Sequence, residues 1–279
     1  MFFCILSSRL ELTLFCFGID WPDDAGEMQM KDKVDAVVYV IDAQEDLKRG
    51  TIQEISAVFH KAKSLNPKVT LQVFVHKVDG DTFASEELRV EVQQAFQEQI
   101  TQEMDKDDVS IHLTSVYNPS LYEAWSLVVQ KLIPNQTTIV ELLDALVEAC
   151  KMEKAFLFDT KTRLYLATDH NPVDHQTLTL CADSIDLAIG FDSVYGTPSQ
   201  SSFDKNEGNI NTRIRLSNNM VLYAQQVGKS LALVCVSRRE SWTEPLLIER
   251  NVSLFKDALK EVKNVREEDE ESSPRSRNQ

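Results

Sequence analysis

Between Val34 and Ile133 three short, mostly apolar runs alternate with three amphipathic stretches, and that alternation constrains the fold more than any other feature. The runs are Ala36 to Ile41, Val69 to Val75 and Val109 to Leu113. Short β-branched runs bounded by polar residues read as strands buried on both faces. Thr51 to Ser64 sets Ile52, Ile55, Val58, Phe59 and Ala62 at helical spacing, and Asn66-Pro67 stops that helix. Ser85 is an N-cap for a second helix through about Glu103, followed by the charged turn Asp105 to Asp108. A third helix runs from Ser120 to Leu132 and is closed by Pro134. Strand then helix, repeated, predicts a parallel sheet with crossover helices.

After Pro134 the pattern changes. A helix over Ile139 to Cys150 precedes a hairpin, Ala155 to Asp159 and Leu164 to Thr168. Val173 to Ile189 is helical, with Leu178, Cys181, Ile185 and Ile189 on its buried face. Three strands follow, Asn211 to Leu216, Val221 to Val227 and Leu231 to Val236, and then a helix from about Pro245 to Val265. That order predicts an α+β domain on an antiparallel sheet. Residues 267–279 hold no apolar side chain and read as a disordered acidic tail. The chain's 279 residues fit two domains, here 1–134 and 135–265, with the tail at 266–279.

Charge and cysteine content exclude some functions. The net charge of −15 argues against a nucleic-acid partner. Five cysteines, Cys4, Cys16, Cys150, Cys181 and Cys235, form neither a paired framework nor a zinc motif. They read as reduced thiols. No run approaches the ~18 apolar residues of a membrane span. In the N-terminal stretch, Leu10, Leu12 and Leu14 alternate with Glu11 and Thr13 before Phe15-Cys16-Phe17, as in a strand. His170 and His175 read as a loop and a helix start, and Glu86, Glu87 and Glu91 as a solvated helix face. No catalytic set and no metal-ligand set is marked by spacing.

Chemistry gathers at two strand ends. His76-Lys77-Val78-Asp79 closes the second strand, and Leu113-Thr114-Ser115-Val116 closes the third. Ligands of open α/β sheets bind outside the carboxyl ends of the strands. A carboxylate there accepts two N–H groups of a guanine edge, and a lysine stem covers a flat base. A backbone N–H of the second segment meets the guanine oxygen. This pairing resembles the guanine-recognition segments of small GTPases. A lysine and an aspartate at a solvated strand end are the plainer alternative.

Six segments in order extend the resemblance over roughly Val34 to Val262. They are Val40 to Gln44, His76 to Gly80, Leu113 to Tyr117, Val129 to Pro134, Glu153 to Asp159 and Ala167 to Asp169. Together they resemble the Rag GTPases of the C/D type. The resemblance implies a Ras-like G domain followed by a roadblock/longin-like domain. It implies GTP or GDP as ligand, with His76, Lys77, Asp79, Ser115 and Val116 at the base, and Mg²⁺ only together with nucleotide. It also implies a heterodimer with an A/B-type Rag, through the helix after Val173 and the edge of the antiparallel sheet. The implied role is relaying amino-acid sufficiency to the TORC1 kinase from the cytoplasmic face of the lysosome, on a roadblock-containing scaffold and without direct membrane insertion.

The chain departs from that family in its first part. A G domain cradles phosphates with Gly-x-x-x-x-Gly-Lys-Ser/Thr. The Gly228-Lys229-Ser230 triplet lies between strands of the second domain and lacks the upstream glycine. Asp20-Trp21-Pro22-Asp23 resembles the family's Asp-x-Pro-Gly segment, with Asp23 in place of the glycine. Asp20 reads as a remnant, as a cap in a rearranged loop, or as a water-mediated Mg²⁺ contact. An N-terminally truncated G domain with impaired nucleotide binding is the first expectation. Its sheet would have an open edge, and the faces around Val38 and Phe15 would lack cover. So either the chain is a fragment of a longer product or a partner covers the gap. The other readings are a working GTPase whose first half lies outside this sequence, and a roadblock/longin-type trafficking adaptor with a vestigial G domain. Whether the chain is an enzyme stays open on the sequence.

Overall fold

The computed structural model describes residues 2–6, 15–17, 35–44, 49–79, 83, 85–101, 109–195 and 210–272. The chain divides into two compact units, Met1–Ile133 and Pro134–Gln279. An α/β unit followed by an α+β unit is the architecture that the sequence predicts.

In the first unit β1 is Phe2–Leu6, β2 Phe15–Phe17, β3 Ala36–Asp42, β4 Thr70–His76 and β5 Val109–Thr114. They form one sheet in the order β2-β1-β3-β4-β5. β3, β4 and β5 run parallel, as predicted. β1 pairs antiparallel with β3, and β2 antiparallel with β1. The expected open edge is therefore corrected. The outer ladder of β3 is satisfied by β1, so its N–H and C=O groups are not left as a template for another chain. The alternation over Leu10 to Leu14, the Asp20 to Asp23 segment and the Asp105 to Asp108 turn lie outside the described residues.

Three helices cover this sheet: α1 (Arg49–Leu65), α2 (Glu86–Ile100) and α3 (Ser120–Leu132). The Ser85 side chain caps α2 by accepting the Leu88 N–H at 3.2 Å. One face buries Ile55, Phe59 and Ala62 of α1 with Val37, Tyr39, Leu71 and Val73 of the strands. The other packs Ala124 and Val128 of α3 against Ala36, Val38 and Phe74. Val38 is fully buried there. The expectation that its face lacks cover is corrected: α3 supplies the cover.

In the second unit α4 (Gln136–Cys150) leads into β6 (Lys154–Asp159) and β7 (Tyr165–Thr168). α5 (His175–Tyr195) precedes β8 (Asn211–Arg215), β9 (Met220–Gln226) and β10 (Leu231–Arg238). A short 3-10 turn, Arg239–Thr243, joins β10 to α6 (Pro245–Ser272). The strands form an antiparallel sheet in the order β7-β6-β10-β9-β8. Leu178, Cys181 and Ile185 of α5 pack on Phe156, Phe158, Ala224 and Val234. α4 packs against α6, and the Asn251 amide donates to Cys150 Sγ. α6 continues through Ser272, so residues 266–272 are helical rather than a disordered tail. Residues 273–279 lie outside the described part. Among the described residues no helix is long and apolar enough to cross a membrane.

Candidate functional site

Parallel register sets the geometry of the site. Asp42 of β3 stands opposite His76 of β4, and His76 opposite Thr114 of β5. Three strands thus end together, and the residues that follow them are delivered to one edge. The Ala43 N–H donates to the His76 carbonyl at 2.8 Å, and the Val78 N–H to the Thr114 carbonyl at 3.4 Å. Those two bonds tie the three strand ends across the sheet.

His76, Lys77, Asp79, Ser115 and Val116 all lie at this edge. His76 Nδ1 shares a hydrogen bond of 3.0 Å with Thr114 Oγ1. Lys77 has a φ of 68°, in the left-handed region that costs an ordinary residue about 1–2 kcal/mol. Its neighbours hold it there: β4 ends before it, and the buried Val78 anchors the chain after it. Such strain concentrates at functional sites. The turn carries the Lys77 ammonium to Asp42 Oδ2 at 2.5 Å rather than over open space. Asp42 Oδ1 also accepts the Gln44 N–H at 3.0 Å. The Lys77 hydrogen bond, and next the Gln44 N–H, hold the Asp42 carboxyl below the usual carboxylate range.

Asp79 is exposed and braced from below. The buried Ser115 hydroxyl donates to Asp79 Oδ1 at 2.7 Å, and the Tyr117 N–H donates to that same Ser115 oxygen at 3.1 Å. The Ser115 N–H donates to Ser120 Oγ at 3.0 Å, and the Ser120 N–H to Asn118 Oδ1 at 3.0 Å. The loop after β5 is therefore rigidly cross-braced before α3 starts. A hydroxyl that donates to one carboxylate oxygen fixes the plane of that carboxylate and leaves the remaining acceptor capacity for a ligand. Val116, next along, is well exposed.

Asp42 and Thr114 lie inside the segments named above but carry no role there, and the Asn118–Ser120 brace escapes a reading of tetrapeptide motifs. Their signal is positional: Asp42, His76 and Thr114 are the polar residues that each end an apolar run. Asp20 lies outside the described residues, and Glu86 is described only in its backbone. His170, by contrast, is engaged within the second unit, where its N–H donates to Asp144 Oδ1 at 2.8 Å and its ring pairs with the same carboxylate.

Residues 24–185 match the family model described as the Gtr1/RagA G protein conserved region. The chain therefore belongs to the Gtr1/RagA family of G proteins. Within it, the chain is of the Rag C/D type. It is 40% identical over 238 residues to Ras-related GTP-binding protein C of Mus musculus, which covers 82% of this chain and 58% of that protein. It is 34% identical over 238 residues to GTP-binding protein gtr2 of Schizosaccharomyces pombe, which covers 82% of this chain and 74% of that protein. The chain thus spans somewhat more than half the length of the Rag C relative. A Roadblock/LC7 domain from Streptomyces avermitilis superimposes with a TM-score of 0.34 at 12% identity, over 44% of this chain and 95% of that one.

Proposed function

We propose that this chain is a Rag C/D-type subunit that pairs with an A/B-type Rag and contacts the base of a guanine nucleotide weakly. The observation that carries the base site is the Asp79–Ser115 hydrogen bond of 2.7 Å across the ends of β4 and β5. Asp79 takes the two N–H groups of the guanine edge, the Val116 N–H meets the guanine oxygen, and the Lys77 stem lies along the base plane. His76 holds the end of β4 through Thr114. The sequence offers no Gly-x-x-x-x-Gly-Lys-Ser/Thr loop for the phosphates. Within the given sequence the contacts offered to a nucleotide are those to the base, and Mg²⁺ enters only with a nucleotide.

Pairing is supported by the second unit, read as a roadblock-like dimerisation domain over 135–265. Leu180, Leu187, Phe191 and Val194 recur at helical spacing along α5 and are all exposed. β8, beside that unit's core, is an edge strand with alternating exposure. An apolar stripe, in a unit whose sheet ends at β8 among the described residues, suits a partner of like architecture. In this reading the heterodimer relays amino-acid sufficiency to TORC1 at the lysosomal surface, on a roadblock-containing scaffold.

The test is nucleotide content. The chain is co-expressed with an A/B-type Rag, the complex is isolated by size exclusion and denatured, and released GDP plus GTP is counted. One nucleotide per heterodimer supports a pairing subunit that is not itself loaded. Two would overturn the impaired site and favour a working GTP-binding protein. Absence of a heterodimer peak would overturn the partner and leave the adaptor reading.

A further inference from the structure

A lysine at a strand end is a poor surface for a flat base unless its stem is held. Left free, the side chain samples many rotamers, and ordering it against a ligand costs entropy. Asp42, the last residue of β3, removes that freedom from Lys77. Parallel register sets Asp42 opposite His76, one residue before Lys77. The left-handed φ of 68° turns the chain at Lys77, and the ammonium reaches Asp42 Oδ2 at 2.5 Å. The stem is thus held at both ends, by its backbone after β4 and by its ammonium at the end of β3.

The anchor is itself fixed. Asp42 Oδ1 accepts the Gln44 N–H at 3.0 Å, and between them the Ala43 N–H donates to the His76 carbonyl at 2.8 Å. Asp42 is the more covered partner, whereas the Lys77 side chain is more than half exposed, so the stem stays open to a ligand on its outer side. Beyond the buried Val78, Asp79 is held in turn by the Ser115 hydroxyl. The lysine and the carboxylate of the base site are therefore clamped from opposite neighbours, one from β3 and one from the loop after β5. An exposed ion pair contributes little to folding, and a strained lysine backbone costs some of it. Stability does not account for the arrangement.

We infer that Asp42 is a positioning residue of the base site, which anchors the Lys77 ammonium so that its methylene stem lies ready along a purine plane. This rests on the base site proposed above. Asp42 makes no contact with the base and acts through Lys77. Order that is already present in the empty site is not charged against binding. A pair of charges then sets the affinity for an uncharged ligand, and that affinity depends on salt.

The test uses the full chain and guanosine, followed by ligand-observed NMR titration. Guanosine carries no charge, so removal of a carboxylate does not act on the probe directly. Asp42→Asn is expected to weaken binding about two- to five-fold. Lys77→Met is expected to weaken it at least as much, and Asp42→Asn added to Lys77→Met to change nothing further. Raising the ionic strength is expected to weaken guanosine binding to the unsubstituted chain more than to Asp42→Asn. Circular dichroism melts check that each variant stays folded, and the salt series on the unsubstituted chain stands even where a variant unfolds. Asp79→Ala separates the two readings. Guanosine binding that Asp79→Ala removes, but that neither Asp42→Asn nor salt alters, would overturn the role of Asp42 and leave the base site standing. Tighter binding by Asp42→Asn, or losses that add in the double variant, would overturn it as well. No guanosine binding by the unsubstituted chain would overturn both.

Discussion

Among the described residues, each unit shows a lysine–aspartate pair that joins segments far apart in sequence, and the two pairs differ in almost everything but chemistry. Lys77–Asp42 bridges two strand ends in the first unit, with the side chains 56% and 23% exposed. Lys154–Asp169 lies inside the second unit at 3.2 Å, with 6% and 0% exposed. Around the buried pair nothing is left unpaired. Lys154 donates to the carbonyls of Asp169 and Asn171 and stands 5.4 Å from the Phe156 ring centre. Asp169 accepts the Ala155 N–H at 2.8 Å and the Asn171 N–H at 3.0 Å. Burial pushes the Lys154 ammonium below its ordinary value, and Asp169 opposes that push. Such a pair stays closed because opening it strands a charge in apolar surroundings. The exposed pair opens at little cost, because water replaces either partner. A site that must hand its lysine to a ligand needs the second kind.

The largest expected effect tests the buried pair. Asp169→Ala leaves a buried ammonium without its counter-charge and two backbone donors without their acceptor, and should cost about 3–5 kcal/mol in urea unfolding of the full chain. An equal cost for Asp42→Ala would break the comparison.

Next comes pH, because the first unit holds a half-buried histidine that, among the described residues, pairs with no carboxylate. His112 hydrogen-bonds Gln72 at 3.0 Å and lies edge-on to Phe74. Burial first, and Lys131 second, push it down to about 4. A histidine depressed in the folded state binds its proton more readily once unfolded. Its stabilisation is therefore complete above about 6.5 and is lost as pH falls toward 4. The loss should be about 2–3 kcal/mol across that window, and His112→Gln should remove the slope.

Function separates the pairs further. Asp79→Ala should weaken any guanine-nucleotide binding by about 1–3 kcal/mol, measured by displacement of a labelled nucleotide. Its unfolding midpoint should stay within about 0.5 kcal/mol of the parent, since the residue is exposed. Equal binding of xanthine and guanine nucleotides by the unsubstituted chain would count against the base site.

The smallest effect is the exposed pair itself. A double-mutant cycle on Asp42→Asn and Lys77→Met should give a coupling under about 1 kcal/mol, further reduced by salt. Asp42 is depressed in the folded state, so its contribution is present above the ordinary value of 3.8 and fades as pH falls through the lower folded value. An NMR titration of the Asp42 carboxyl carbon follows that step.

Much of the fold is legible in local sequence. The helices α1, α3 and α5 follow the spacing of their apolar residues, and Ser85 marks the start of α2. His76, Lys77, Asp79, Ser115 and Val116 are legible as strand-end residues of adjacent parallel strands. The course of α6 past Val265 is not, because a charged run without apolar residues carries no helical period to read. Nor is the antiparallel seating of β1 on β3, which joins Phe2–Leu6 to a strand some thirty residues away.

The sequence by itself determined the element order, the change from parallel to antiparallel grammar at Pro134, and the residue types at the strand ends. Those follow from short-range periods of two and 3.6 residues, which a linear chain displays openly. Tertiary structure alone decided that Lys77 turns to Asp42, that Ser115 braces Asp79, and that Lys154 and Asp169 are sealed from water. Each joins residues 15 or more positions apart, so register and burial, which only the packed sheets fix, set the partner and the strength of the contact.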